Sequence, residues 1–212
     1  MSPQAVTEEG TEHLRAGDPV MRALIDEYGP LSEVLRRRGR RPEEPYGALL
    51  RSIVGQQLST EAARAIWERT LAIFDGRVPK PEELLAVDPE KLREAGNSRP
   101  KGAFMRSLAE HVLNGELELD RLDDLSDDEI SAELTAVKGL GQWSADMFLI
   151  FHLGRPDVLP VGDLGVRKAA MIAYNLRKLP TPDRLKRLAR PWRPYRSLAS
   201  LYLWRSLDNE PA

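Results

Sequence analysis

The chain has no cysteine among its 212 residues. That excludes disulfides, a thiolate nucleophile and Cys-ligated zinc or iron–sulfur sites. It also lacks any apolar run approaching a membrane span, and its N-terminus has neither the basic start nor the apolar core of a signal peptide. A cytoplasmic protein with no membrane partner is expected. No alternating strand pattern occurs either, so the fold is predicted to be all-α. Acidic residues are scarce in one region. Between Gly154 and Leu207 twelve basic residues, from Arg155 to Arg205, face three acids, Asp157, Asp163 and Asp183. Net charge is −2, which argues mildly against nucleic acid. This segment argues the other way, as a phosphate-facing surface; taken as charge alone it also fits a solvated helix face.

What is present is a succession of short helices punctuated by Pro and Gly. Residues 1–17 are polar and acidic without an apolar period and read as a loose tail. Asp18-Pro19 caps a helix ending at Gly29-Pro30. Arg36 to Pro45 reads as a charged linker. Helices follow over Tyr46–Val54, Thr60–Phe74, Pro81–Ala86 and from Asp88 to near Gly96, then over Gly102–Leu113. His111 on the last of these is spaced for the core edge. Further on, Leu164–Tyr174, Asp183–Ala189 and Tyr195–Leu207 carry helical spacing.

The centre of the pattern is Lys138-Gly139-Leu140-Gly141-Gln142-Trp143. A capping box, Ser126-Asp127-Asp128-Glu129, opens a helix before it, and Ser144 to Leu153 has helical spacing after it. Helix, glycine turn, helix spans 126–153. The second helix would offer free N–H groups and a positive dipole end beside a turn without bulk, which suits a phosphate. An ordinary turn with a Gly cap has the same sequence. Six residues on, Leu159-Pro160-Val161-Gly162-Asp163-Leu164-Gly165-Val166-Arg167 delivers one carboxylate to a helix start, where Asp also serves as an N-cap. Gln56-Gln57-Leu58 occupies a turn between two good helices, which by itself is a common polar turn.

The hairpin followed by Val-x-Asp-x-x-Val-Arg resembles the helix-hairpin-helix (HhH-GPD) DNA glycosylases, and within them the 3-methyladenine DNA glycosylase II branch. The resemblance covers Tyr46 to Trp204. It implies two helical lobes, 46–152 and 18–45 plus 153–212, with the active-site cleft between them, and no N-terminal β domain. It implies base excision repair: an alkylated base such as 3-methyladenine or 7-methylguanine is flipped from double-stranded DNA and hydrolysed off. Asp163 would be the catalytic carboxylate, with Asp157 and Asp146 reading as loop and helix-surface acids. Gln56, Trp143, Met147 and Trp204 would border the base, Met147 standing where a bacterial relative has tyrosine. Core packing is the alternative for each Trp and the preferred one for Trp67 and Trp192. Gln57 or Leu58 would fill the gap left by the base. Gly139, Leu140, Gly141 and Ser144 would meet DNA through the main chain. Trp143 occupies the position of the catalytic lysine of lyase-competent members, and the absent cysteines separate the chain from relatives with a four-cysteine cluster. The resemblance implies a monomer with no required cofactor and no side-chain metal site, and allows a monovalent cation on hairpin carbonyls. A non-catalytic DNA-binding module would keep the glycines without needing Asp163 or the tryptophans. A helical protein-interaction domain would need neither.

Overall fold

The computed structural model describes residues 3–31 and 44–208. Among them there are helices and no strands. Seven of these helices begin where a short polar side chain satisfies an orphan N–H, and at four of them a proline follows within two residues. Asp18 accepts from Val20 and Met21 at the start of α2 (Pro19–Tyr28), with α1 (Pro3–Gly17) before it. After α3 (Pro45–Gly55), Ser59 caps α4 (Thr60–Ala72). Then come α5 (Pro81–Ala86), α6 (Pro89–Glu94) capped by Asp88, and α7 (Arg99–Leu113) capped by Ser98. Ser126 and Glu129 form the expected capping box of α8 (Asp127–Ala136). Next is α9 (Gln142–Met147), which runs into a π turn at Phe148–His152. Asp163 caps α10 (Leu164–Ala173), Thr181 caps α11 (Pro182–Leu188), and α12 (Arg196–Asp208) is last.

The chain divides into two compact units. Arg41–Phe148 is one. In it α7 packs against α3, α5 and α6, α3 against α4, and α8 against α9. Its buried side chains include Leu49, Leu50, Ile53, Leu84, Met105, Leu108, Ile130 and Leu134. Trp67 is buried here as expected. His111 sits at the edge, its Nδ1 beside Ser107 O and its Nε2 3.5 Å from Glu116.

The other unit is Met1–Arg40 with Leu149–Ala212. Its core joins Met21, Leu24 and Ile25 of α2 to Val166, Ala169 and Ala170 of α10 and to Leu198, Leu201 and Tyr202 of α12. At its centre the Asp18 carboxylate, besides capping α2, accepts from Tyr174 Oη and from the Trp192 indole at 3.0 Å. Burial, then the bond to Asp18, pushes the Tyr174 phenol strongly up, so it stays a donor. Trp192 is fully buried, as expected.

The stretch expected as a tail is a correction. Residues 3–17 are α1, and Leu14 belongs to the core. The helix docks through a small residue: Gly10 lies against the Tyr195 ring, where a Cβ would come within 2.8 Å. The expected linker at 36–45 falls almost wholly outside the described residues.

Candidate active site

In the hairpin, the turn between α8 and α9 depends on Gly139. Its φ is +92°, a region that L side chains avoid. The Phe104 ring of α7 also lies on it, so closely that a Cβ would stand 2.1 Å from the ring. Gly141 differs. It is the N-cap of α9 with extended backbone (φ −101°, ψ 177°) and makes no side-chain cap bond. A Ser or Asp there would consume a helix-start donor; Gly leaves it for an outside acceptor. The N–H groups of Gly139, Gly141 and Ser144 are not taken up by backbone carbonyls among the described residues. Leu140, expected at the DNA interface, instead buries its side chain and donates its N–H to Val137 O at 3.1 Å, whereas Ser144 buries its side chain with its N–H left to offer. Trp143, one residue into α9, is 45 % exposed. Met147 closes α9, half-buried.

The Gln turn belongs to the same unit and is tied to the hairpin. Gln56 Nε2 donates to Gly139 O at 2.8 Å. Lys101 Nζ donates to Val54 O, at the end of α3, at 2.7 Å, and burial lowers its pKa. Gln57 is exposed and held at φ +58°, an uncommon conformation for a non-Gly residue and one found often at functional positions. Leu58 beside it is also exposed. Sequence reasoning missed Lys101 and Phe104, because neither partner is near in sequence.

In the other unit, the loop that ends in Asp163 is gripped by the first turn of α12. Ser197 Oγ donates to Arg155 O and accepts from Val158 N–H, and Ser197 N–H donates to Pro156 O. Arg196 clasps the Asp157 carboxylate through Nε at 2.6 Å and Nη2 at 3.0 Å. Asp157 is thus a structural ion-pair partner. Asp146, expected on a helix surface, is instead buried and accepts from Gln142 Nε2 at 2.8 Å; the four-residue spacing aligns the two on α9. Asp163 itself is half-buried. Its Oδ1 accepts from Val166 N–H at 2.7 Å and from Trp204 Nε1 at 2.9 Å. The Trp204 ring stacks on Phe151, centroids 5.6 Å apart. Leu164, the next residue, is 65 % exposed, unusual for a leucine at a helix start and unremarked by its sequence context.

The described residues contain no group of three or more His, Cys, Asp or Glu side chains arranged to hold a metal, and no helix long and apolar enough to cross a membrane. The candidate chemistry rests on one oriented carboxylate, exposed aromatic surface and a hairpin of main-chain donors.

Residues 50–194 match the model of the HhH-GPD superfamily of base excision DNA repair proteins, and the chain belongs to that superfamily. Within it, the chain groups with the DNA-3-methyladenine glycosylases. It is 35 % identical over 185 residues to DNA-3-methyladenine glycosylase 1 of Schizosaccharomyces pombe, covering 86 % of this chain and 78 % of that one. A 3-methyladenine DNA glycosylase structure from the same yeast, in complex with abasic DNA, superposes with a TM-score of 0.83 at 32 % identity, covering 94 % of this chain and 97 % of that one. A DNA-3-methyladenine glycosidase structure from Bacillus halodurans gives 0.74 at 36 % identity, covering 91 % and 90 %.

Proposed function

We propose that the chain is a monofunctional DNA glycosylase. It flips an alkylated base out of duplex DNA and hydrolyses the N-glycosidic bond, leaving an abasic site. The observation that carries this reading is Asp163, a half-buried carboxylate fixed by two N–H donors at the start of α10. Bond cleavage passes through an oxocarbenium-like sugar, which needs negative charge beside C1′. A base such as 3-methyladenine or 7-methylguanine already carries positive charge and leaves without a strong general acid. One carboxylate then suffices, to stabilise the cation and orient water. The yeast and Bacillus relatives named for 3-methyladenine support that substrate class.

The other site residues take roles around this step. In the unit of residues 41–148, exposed Trp143 offers a cationic base the electron-rich face of its indole, with Met147 and Gln56 the other base-contacting candidates there; Trp204 is the candidate of the other unit. Gln57, exposed with its backbone in the left-handed region, enters the gap that the base leaves, and Leu58 supports it. The N–H groups of Gly139, Gly141 and Ser144 take a phosphate, and Leu140 holds the turn through its buried side chain and its N–H bond to Val137 O. Such contacts carry no sequence information, which suits a search for damage. Carbonyls in the hairpin region, each with a second lone pair beside its internal bond, fit a monovalent cation: Val137 O accepts from Leu140 N–H, and Gly139 O from Gln56. No step depends on that cation. The enzyme acts as a monomer on chromosomal DNA.

Trp143 cannot form a Schiff base, so no lyase step follows. The test is incubation with methylated duplex DNA, with chromatography of the released bases and borohydride trapping in parallel. Free methylpurines and no covalent protein–DNA adduct are expected. A trapped adduct would overturn the monofunctional assignment, and absence of release with duplex binding intact would make the chain a non-catalytic DNA-binding module.

A further inference from the structure

The polar edge of Trp204 is directed at Asp163. The indole N–H donates to Asp163 Oδ1, the same oxygen that takes the Val166 N–H. An aspartate's terminal torsion is broad, and the cap bond alone does not set the carboxylate plane. A second donor on the same oxygen narrows it. The indole comes from α12, whose first turn also grips the preceding loop through Arg196 and Ser197. One helix therefore holds both ends of the segment that delivers Asp163.

Gly165 is what admits the indole. A Cβ there would stand 3.1 Å from Asp163 Oδ1 and 3.2 Å from both Cδ1 and Nε1 of Trp204. It would crowd both partners of the hydrogen bond. Gly165 lies in α10 and is not in the left-handed region, so its backbone does not call for glycine. Alanine is the better helix former at such a position. Space beside the carboxylate, not conformation, accounts for the glycine.

We propose that Trp204 is a positioning residue for Asp163, acting through its indole N–H, and that Gly165 keeps the gap this contact requires. This rests on the reading of Asp163 as the catalytic carboxylate. A displacement of about 1 Å at a reacting group can cost on the order of a hundredfold in rate. The few tenths of an ångström forced by a Cβ should cost about tenfold.

The test uses Gly165→Ala, Trp204→Phe and the double variant in the full chain. Trp204→Phe keeps an aromatic ring beside Phe151 and removes the N–H. Single-turnover excision of 7-methylguanine should fall about tenfold in Gly165→Ala and about tenfold to a hundredfold in Trp204→Phe. Affinity for an abasic-site duplex should be unchanged in Gly165→Ala, and its Tm should be unchanged or raised. The double variant should lose less than the product of the two single losses, because the N–H that the added Cβ displaces is already gone. In the 15N–1H spectrum, the indole signal missing from Trp204→Phe should move in Gly165→Ala. An active wild type with full rate in Gly165→Ala and an unmoved indole signal would overturn the inference, as would additive losses in the double variant. A wild type that binds DNA and excises nothing removes the functional reading, and this inference with it.

Discussion

Two glycines in one hairpin have different reasons to be glycine. Gly139 is held at φ +92° under the Phe104 ring, and Gly141 has extended backbone with nothing within 4 Å of a Cβ. Gly139→Ala combines backbone strain with overpacking and should destabilise by about 2–4 kcal/mol. Gly141→Ala should cost under about 1 kcal/mol, the penalty of a poorer N-cap. Chemical denaturation of the two variants checks this, and equal losses would refute the distinction. Asp163 shows the opposite economy, since one side chain both caps α10 and carries the proposed charge. Asparagine caps a helix as well as aspartate does, so Asp163→Asn removes the charge and leaves the cap.

Helices were legible where their ends carry their own chemistry. Ser59, Asp88, Ser126 and Thr181 mark starts that the structure shares with the sequence pattern. The start of α2 has a further consequence. Asp18 there satisfies two backbone donors with one oxygen and the Tyr174 and Trp192 donors with the other. Asp18→Ala loses the cap and strands buried donors, at a cost of about 3 kcal/mol. Thermal unfolding should show it as a large drop in Tm, and a drop no greater than that of a surface cap such as Ser98→Ala would contradict the network. What the sequence concealed was contact across distance. The first helix, α1, looked like a tail because its anchor is a glycine that meets Tyr195, 185 positions away. The site contacts are of the same kind: Gln56 meets Gly139, 83 residues on, and Asp163 meets Trp204, 41 residues on. Periodicity identifies the buried face of a helix; it does not identify the partner. Asp146 was misread because a charged residue is rarely buried without a mate, and its mate, Gln142, lies before the helix start that the pattern suggested.

At the scale of the molecule, residues 50–194 match the HhH-GPD superfamily model, and the described residues form helices and no strands. The acidic net charge is no obstacle to DNA, because the proposed phosphate seat is built from neutral main-chain donors. On the proposed reading, this molecule performs chemistry on DNA as well as binding it, and Asp163 performs the chemistry. The most direct measurement is the single-turnover rate on a duplex with one 7-methylguanine, wild type beside Asp163→Asn, with the affinity of both for the same duplex. Excision by the wild type, a loss of at least about a hundredfold in the variant and binding retained by both are expected. An Asp163→Asn variant that excises at the wild-type rate would contradict that reading.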